Sequence, residues 1–514
     1  MQNYHKHTCY SNVLVTDCAA PYEEYIQRAV ELGHNVISSV EHGYQGNYYV
    51  PYELVQKHNA GLYHKVELGQ LSEEEYKRKK LKFVFGAEAY WVKDRLAEYS
   101  KIDKKTGEIV PGEYVKDRTN CHIILLAKNE EGRRDINEIL SIASIDGFYG
   151  QPRIDIDLLL KVNPENVMVT TACLKYWIYD DIEEITLKLF DHFGDNFFLE
   201  VQYHNTDIQK QINRRIIDLH NKYGIKIILG CDSHYIYPEQ YKERDNYLEA
   251  RGITYDEDEK GWYMDYPDEP EARRRLKEQA VLNAEEMDEC ISNTDIPLTF
   301  DDIVLDKNIK LPKNYLFNGE WVGEKSQEWR DSTLRNLVYS KWNEIKNTVS
   351  DKRYEEYKQG IEYELNAIIE TKMSDYFLID YELVRIGVAN GGIITKTGRG
   401  SGVSYYINSL LGFSNIDRFI SPVKLYPDRF ISKTRILKTK SLPDLDLNLG
   451  TPEIFADAQI QVMGEGHAYP MISYKPLQVS SAFKLYAKSQ GIDFDVANEI
   501  TSQIKAYEKA GEGA

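Results

Sequence analysis

The first 250 residues of this chain predict an α/β fold, a parallel sheet or barrel with flanking helices, and the remainder predicts a second, α+β region. Short β-rich runs alternate with helical stretches through the first half, which is the pattern of strands joined by crossover helices. The length of 514 residues exceeds what a single hydrophobic core serves, so two or three domains are expected. Candidate metal ligands follow the apolar runs, where the active residues of such folds gather.

The predicted strands are apolar runs that flanking helices would bury on both faces. They cover 35–40, 83–85, 122–126, 167–170, 197–202 and 225–229. Helical spacing of apolar residues predicts helices over 21–32, 130–142, 182–193 and 207–223.

The second half begins with an acidic connector, residues 251–290, which contains Asp256-Glu-Asp-Glu-Lys and leads into one or two helices over 271–293. A second globular region follows over 291–470. It is predicted to hold helices over 329–348, 354–373 and 376–390, then a Gly-rich turn, another helix and a strand ending in Pro443-Asp-Leu-Asp. From Glu453 onward the periodicity is helical.

Composition places the chain among soluble globular proteins, with 42% hydrophobic and 28% charged residues. No apolar run approaches the roughly 20 residues that span a bilayer, and no signal pattern opens the chain, so we expect a cytoplasmic protein without membrane contact. The six cysteines are scattered, unlike those of a zinc ribbon or a disulfide scaffold.

A net charge of −19 argues against binding of nucleic acid over the whole surface, because phosphate binding needs clustered Lys and Arg. The clearest local basic cluster runs from Arg429 to Lys440. A solvated surface strand or loop would show the same charges.

The His5 and His7 pair would project both imidazoles to one face of an extended segment, which makes it a candidate metal site. Two half-exposed residues on an edge strand are the alternative interpretation, and Cys173 alone would be a buried small hydrophobe. Further His, Asp, Glu and Cys residues follow the other predicted strands, and so many together favour a metal centre. Such mixed ligands suit Zn²⁺, or Mn²⁺ or Fe²⁺ where carboxylates bridge two ions.

Residues 1–250 also resemble a known family, the polymerase-and-histidinol-phosphatase (PHP) domain that opens the alpha subunit of bacterial replicative DNA polymerases. The matching motifs are Tyr4-His-Lys-His-Thr-Cys-Tyr-Ser, Glu41-His-Gly, Phe85-Gly-Ala-Glu-Ala-Tyr, His122-Ile-Ile-Leu-Leu-Ala-Lys-Asn, Pro152-Arg-Ile-Asp, Thr171-Ala-Cys-Leu, Leu199-Glu-Val-Gln and Cys231-Asp-Ser-His-Tyr. The resemblance implies a seven-stranded, (βα)7-like barrel.

The same resemblance implies a cluster of two to three metal ions, with His7 and Glu88 as bridging catalytic ligands. The implied ligands are His5, His7, Asp17, His42, Glu88, His122, Cys173, Asp232 and His234. Glu41 departs from the family, which usually has Asp there, and His204 matches a position that lies behind the ligands at most. Such ions favour phosphoester hydrolysis, and the family resemblance implies a proofreading 3′–5′ exonuclease.

A second candidate site lies near the C-terminus, where Asp444 and Asp446 would share one face of the predicted strand and hold two Mg²⁺ ions. Upstream, the glycines of Gly398-Arg-Gly-Ser401 would expose backbone N–H groups to a triphosphate at a helix N-terminus, with Arg399 adding a cation. Surface acids and a tight turn are the alternative interpretations.

These segments are similar to the palm of the same C-family polymerases, through Tyr376-Phe-Leu-Ile, Gly398-Arg-Gly-Ser, Leu411-Gly, Asp428-Arg-Phe and Pro443-Asp-Leu-Asp. The similarity implies catalytic metal binding by Asp444 and Asp446 and nucleotide contacts from Gly398, Arg399, Gly400, Ser401, Arg429 and Lys484. Departures from the family pattern are Lys396-Thr397, Val403-Ser404-Tyr405 and Asn448-Leu449.

The implied order is thus a PHP domain over 1–250, a connector, a palm over 291–470 and the start of a helical thumb over 471–514. Implied partners are primer–template and single-stranded DNA, deoxynucleoside triphosphates and other replisome subunits. No third palm carboxylate is evident, so we expect nuclease activity without polymerisation. The alternatives are a stand-alone PHP phosphoesterase acting on small phosphate esters and a scaffold that metals only brace.

Overall fold

The computed structural model describes residues 1–13, 17–18, 20–103, 105–253, 262–395, 398–471 and 477–511. The chain divides into two compact units. Unit 1 contains Met1–Val304 and the described residues after 476, and unit 2 is the described part of Leu305–Ser473. The acidic run 256–260, the Lys396-Thr397 pair and the last three residues lie outside the described residues.

Unit 1 is built on a curled sheet of seven strands, in the order β1-β2-β5-β7-β8-β9 with β6 beside β2, while β3 and β4 form a separate hairpin. The strands are β1 (Val36–Ser39), β2 (Lys82–Val92), β3 (Glu98–Ile102), β4 (Ile109–Lys116), β5 (Cys121–Ala127), β6 (Ile154–Asp155), β7 (Val167–Thr171), β8 (Phe197–Val201) and β9 (Ile227–Leu229). Each predicted strand of this region is present, and the mixed α/β half-barrel agrees with the predicted fold class.

The sheet is mixed, and the expectation of purely parallel strands is wrong. β1 pairs parallel with β2, as do β7 with β8 and β8 with β9, but β5 is antiparallel to both of its neighbours. The connection from β2 to β5 runs through the β3–β4 hairpin instead of a helix. A chain that returns without a crossover helix pairs antiparallel.

The helices of unit 1 surround this sheet. They are α1 (Tyr22–Leu32), α2 (Tyr49–Glu67), α3 (Glu73–Lys79), α4 (Glu130–Ile145), α5 (Ile156–Leu159), α6 (Ile182–Phe193), α7 (Asp207–Tyr223), α8 (Tyr241–Arg251), α9 (Glu269–Gln279) and α10 (Ala284–Asn293). The predicted bounds of α6 and α7 are confirmed to the residue. Helix α7 shows why, since Thr206 accepts a hydrogen bond from Gln209 N at its start and Gly224 adopts φ +72° at its end.

The N-terminal segment joins the two edges of the curled sheet. Lys6 forms a parallel bridge with Ser233, just beyond β9, and His7 N donates to Ser233 O at 2.8 Å. On the other side, Gln2 Oε1 accepts from Val36 N in β1 at 3.0 Å, and the buried Lys6 Nζ donates to Ser38 O at 2.9 Å. The segment that carries His5 and His7 thus makes a single β-bridge, at Lys6, and side-chain hydrogen bonds hold most of it in place.

Unit 2 is mainly helical around a core that includes Leu334, Trp342, Tyr357 and Phe377. Its elements are β10 (Leu316–Phe317), β11 (Glu320–Trp321), α11 (Gln327–Ile345), α12 (Asp351–Glu370), α13 (Ser374–Ala389), α14 (Tyr406–Leu410), α15 (Lys433–Thr439) and α16 (Pro452–Met463). The last two helices, α17 (Val479–Ser489) and α18 (Phe494–Gly511), belong to unit 1, where α17 packs on α8.

One expectation for unit 2 is wrong, and one alternative interpretation needs correction. Residues 441–448 form a loop, so Asp444 and Asp446 do not lie on a strand, and only Leu449 makes an isolated bridge, with Ile394. Most of the basic stretch is the helix α15 instead of a strand or loop, because Ser432 caps its first turn and Lys440 ends it with φ +53°. Within the residues that the structure covers, no helix is both long and apolar enough to cross a membrane.

Strand β2 depends on the absence of a side chain at Gly86, where a Cβ would lie 2.5 Å from Leu125 O and 2.7 Å from Leu126 Cδ2. We expect Gly86→Ala to lower the free energy of unfolding by about 1–3 kcal/mol, because the β2–β5 backbones would have to separate. The control is Gly61→Ala in α2, where a Cβ meets nothing within 4 Å and alanine should stabilise by about 0.5–1 kcal/mol. Urea unfolding midpoints test both, and equal effects would contradict the assignment.

Candidate metal centre and nucleotide site

The predicted metal ligands come together from segments that run from the N-terminus to the residues just after β9. Eight of the nine are buried and Cys173 is half-buried. Among the described residues their side chains form four groups, three of which share residues, and in each group one potential ligand atom per residue lies within 4.8 Å of the others. These groups are His5, His7 and Asp232; His7, His42 and His234; Asp17, Cys18 and His234; and Glu88, His122 and Cys173.

The first group is arranged around one carboxylate oxygen. Asp232 Oδ1 lies 3.2 Å from Nε2 of both His5 and His7, and these two nitrogens are 3.2 Å apart. His5 Nδ1 donates to Glu200 Oε1 at 2.8 Å, and His7 Nδ1 faces Ser11 Oγ at 3.3 Å. Because Nδ1 of each ring is engaged behind it, Nε2 is the nitrogen directed into the cluster.

His7, His42 and His234 connect the first group to the others. The rings of His7 and His42 stack at 3.8 Å between centroids. His234 Nδ1 donates to Asp232 O at 2.8 Å, so its Nε2 faces Asp17 Oδ2 at 3.3 Å. His42 Nε2 approaches the other oxygen of Asp17 at 3.6 Å.

Glu88 is the centre of the group at the β2–β5 pair. Its Oε2 accepts from His42 Nδ1 at 2.6 Å, and its Oε1 accepts from His122 Nδ1 at 3.0 Å. Cys173 Sγ lies 3.4 Å from the same His122 nitrogen. Both oxygens of Glu88 therefore face imidazoles of different groups, as a bridging carboxylate would require.

The proximity of these groups shifts their protonation strongly. Burial and the neighbouring His42 lower the pKa of His7 to about 3. Burial disfavours a charged His42 as well, but hydrogen bonds and charge from Asp17 and Glu88 outweigh it and raise the pKa of His42 to about 10. Although burial opposes their ionisation, Asp17, Glu88 and Asp232 keep pKa values well below the usual range because imidazoles surround them. A bound cation would displace the imidazole protons, so metal binding releases protons.

The residues present fit a cluster of divalent ions. His42 Nε2, His122 Nε2 and Asp232 Oδ1 are buried without a hydrogen-bond partner among the described residues. Buried polar atoms are usually satisfied, so unpartnered atoms on three residues of a cluster of imidazoles, carboxylates and a thiol fit cations bound in that cluster.

Two buried carboxylates outside the predicted set of metal ligands, Glu200 and Glu41, support the cluster from behind. Glu200 accepts from His5 Nδ1 and, at 2.7 Å, from Tyr4 OH, and Glu41 accepts from Thr8 N at 3.1 Å and from Ser11 Oγ. Both therefore hold the segment that carries His5 and His7. The available signal for Glu200 was a charged residue inside the otherwise apolar strand Phe197–Val201.

His204 lies behind the ligands, as the sequence indicated. It is fully buried, its Nδ1 accepts from Tyr263 N at 3.2 Å, and its ring stacks on Trp262 with centroids 4.7 Å apart. Burial lowers the pKa of His204 to about 4.

In unit 2 the glycine turn and the Asp-x-Asp loop lie against each other. Gly400 adopts φ +69°, and any side chain there would collide with the Asp446 carboxylate. Arg399 Nε lies 3.7 Å from Asp446 Oδ1, and a Cβ at Gly402 would lie 3.0 Å from Leu445 Cδ1. The two segments that the sequence marked independently thus meet at one place.

The expected helix N-terminus behind this turn is short and already occupied. After Gly398–Ser401 comes a single 3-10 turn, Gly402–Ser404, and then the five-residue α14. Ile407 N donates to the buried Glu364 Oε2 at 2.9 Å. The expectation that a helix N-terminus would cradle a triphosphate is therefore wrong for α14, since a carboxylate occupies it.

The other residues predicted for the nucleotide site are exposed. Asp444 and Arg429 are exposed, and Arg429 ends the 3-10 turn Pro427–Arg429. Lys484 is exposed on α17, which belongs to unit 1. Their assignments stay predictions.

Glu200 fixes the ring of His5, so its charge should matter for metal binding. We expect Glu200→Gln to weaken metal affinity about 10–100-fold, because the carboxylate that holds His5 Nδ1 and Tyr4 OH becomes a neutral amide. Competition with a chromogenic chelator measures this. Glu184→Gln, on the exposed side of α6 in an ion pair with Lys188, is the matched control and should bind metal like the unchanged protein. Unaltered affinity in Glu200→Gln would contradict the assigned role.

Comparison with known proteins agrees with these two regions. The PHP domain family matches residues 3–204, and the bacterial DNA polymerase III alpha NTPase domain family matches residues 332–512. Among similar curated proteins is the DNA polymerase III subunit alpha of Aquifex aeolicus (strain VF5), 25% identical over 527 residues that cover 97% of this chain and 40% of the relative.

Two further relatives with the same printed name come from Borreliella burgdorferi, 27% identical over 84% of this chain and 36% of the relative, and Helicobacter pylori (strain 26695), 26% identical over 76% and 34%. The chain spans 40% or less of the length of these relatives. Residues 3–204 thus match the PHP domain family, residues 332–512 match the bacterial DNA polymerase III alpha NTPase domain family, and most of the chain is similar to curated DNA polymerase III alpha subunits.

Proposed function

We propose that unit 1 is a metal-dependent nuclease that removes nucleotides from the 3′ end of single-stranded DNA, as a proofreading 3′–5′ exonuclease. The observation that carries this proposal is the convergence of nine buried or half-buried candidate ligands into four close groups. A scaffold needs no such concentration of mutually repelling carboxylates, which costs stability unless cations compensate it.

Two to three ions are the number that this ligand set supports, as Zn²⁺ or as Mn²⁺ or Fe²⁺. His5, His7 and Asp232 would hold one, Asp17, His42 and His234 a second, and Glu88, His122 and Cys173 a third. When bound, clustered divalent ions supply Lewis-acid activation of water and neutralise charge on a phosphodiester.

The chain's own residues prepare this site in two ways. His7 belongs to two ligand groups, and Glu88 contacts the imidazoles of His42 and His122 from different groups. Each would therefore serve two ions, and we assign both a catalytic role. Glu200 and Glu41 hold the N-terminal segment in place, which keeps the imidazoles directed inward before substrate arrives.

For the C-terminal half of the chain we propose a polymerase palm over 291–470, with residues from 471 on as the start of a thumb. Asp444 and Asp446 would bind Mg²⁺, and Gly398, Arg399, Gly400 and Ser401 would contact the phosphates of a deoxynucleoside triphosphate. Arg429 would add a cation to that site, and Lys484 on α17 stays a predicted nucleotide contact. The close approach of Gly400 to Asp446 supports this assignment. Primer–template DNA and other replisome subunits are the proposed partners.

The two sites are expected to act independently. His7→Ala should abolish hydrolysis of single-stranded DNA and reduce bound metal together, because His7 belongs to two ligand groups. Asp444→Ala should leave hydrolysis within a few-fold of the unchanged protein. The measurement is release of labelled 3′-terminal nucleotides, with and without chelator, alongside elemental analysis.

The same assay separates the alternatives. Chelator-sensitive hydrolysis of small phosphate esters without hydrolysis of DNA would favour a stand-alone phosphoesterase. Full metal content with no hydrolysis of either substrate would favour a scaffold. A loss in Asp444→Ala as complete as in His7→Ala would place the nuclease in unit 2.

We expect this polypeptide not to extend a primed template at a measurable rate. Two-metal transfer needs enough carboxylates to hold both Mg²⁺ ions about 4 Å apart, whereas here a loop carries the exposed Asp444 and the half-buried Asp446. A primer-extension assay with Mg²⁺ and all four deoxynucleotides tests this. Extension that disappears in Asp444→Ala would contradict the prediction.

A further inference from the structure

Cys18 is a second thiol at the metal centre, and neither the sequence pattern nor the family resemblance marked it as a ligand. It belongs to the group with Asp17 and His234, whereas Cys173 belongs to the group with Glu88 and His122. The side chain is fully buried, and Sγ donates to Asp17 Oδ1 at 3.2 Å. His234 Nε2 lies 3.3 Å from the other oxygen of the same carboxylate.

An independent feature points to a cation at this place. His42 Nε2 is buried, has no hydrogen-bond partner among the described atoms, and lies 3.6 Å from Asp17 Oδ1. A thiol, a carboxylate and two imidazole nitrogens therefore surround one small volume. Four ligands of these types form the tetrahedral set that Zn²⁺ prefers.

The backbone of this group is fixed by one side chain. Asn12 Oδ1 accepts from Asp17 N at 3.1 Å and from Cys18 N at 3.0 Å, and Asn12 Nδ2 donates to Cys18 O. Because both peptide groups are held, the two neighbouring side chains are directed into the cluster together, as a pre-organised ligand pair requires.

We propose that Cys18 ligates, as a thiolate, the ion held by Asp17, His42 and His234, so that two thiolates serve the centre. Ligation breaks the S–H bond and forms an S–metal bond, and the proton that Sγ now donates to Asp17 passes to solvent. Thiolates at two of three ions favour Zn²⁺, Co²⁺ or Cd²⁺ over Mn²⁺ and Mg²⁺. The inference rests on the proposed metal centre, but not on its nuclease activity.

Cobalt provides the test, since thiolate ligands give Co²⁺ a near-ultraviolet charge-transfer absorption that imidazoles and carboxylates lack. The full chain is stripped with chelator, loaded with Co²⁺ and compared with Cys18→Ser, Cys173→Ser and the double variant. Each single variant should lose about half of this absorption, and the double variant should lose it all. Cys9→Ser, an exposed thiol, and Cys290→Ser, a buried thiol that donates to Met287 O, are controls that should leave it unchanged.

Absorption that Cys173→Ser removes completely, or that Cys18→Ser leaves intact, would overturn the proposal. Should Cys18→Ser not fold, X-ray absorption of the zinc-loaded unchanged protein decides the matter. We expect two Zn–S bonds per chain at about 2.3 Å, and one bond would overturn it. A cobalt-loaded protein with both thiolates but no hydrolysis of DNA would refute the nuclease and leave this inference standing.

Discussion

The closure of the curled sheet by residues 2–8 is the constraint on which the rest of unit 1 depends. These residues reach Ser233 beyond β9 on one side and β1 on the other, and His5 and His7 are carried between the two edges. A sheet left open at this point would separate two imidazoles from Asp232 and Glu88. The buried Lys6, which donates to Ser38 O and Oγ, therefore contributes to the site without facing it.

Pairing with imidazoles stabilises the carboxylates that this closure buries. Asp17, Glu88 and Asp232 are nearly devoid of solvent contact, and an isolated buried carboxylate would cost several kcal/mol. Each of them faces at least two imidazoles, which stabilise the ionised forms. The imidazoles paired with these carboxylates carry protons that a bound cation would displace. Metal binding and the stability of unit 1 should therefore be coupled.

Unit 2 follows a different principle. Its core is a set of helices packed around aromatic residues such as Trp342 and Tyr357, and the candidate nucleotide site lies in loops on that core. Glu364 links the core to these loops, because it accepts hydrogen bonds from Ile407 N and, at 2.6 Å, from Arg418 Nε. Burial raises the pKa of Glu364 to about 7. The segment that follows the glycine turn is consequently held to the core by a carboxylate. The turn itself can lie against Asp446 only because Gly400 has no side chain.

The sequence by itself predicted many of the helices, most strands of the sheet and a set of candidate ligands that the fold brings close together. Local periodicity and caps fix a helix such as α7, and His, Asp, Glu and Cys after apolar runs mark the end of a sheet where ligands meet. The tertiary structure decided that β5 pairs antiparallel with its neighbours and that Asp444 lies in a loop. It also decided that Cys18 and Glu200 lie beside the predicted ligands. Glu200 and His5 are 195 residues apart in the chain, and no local pattern encodes a contact at that separation. Such contacts exist only once the sheet has curled and the N-terminal segment has closed it.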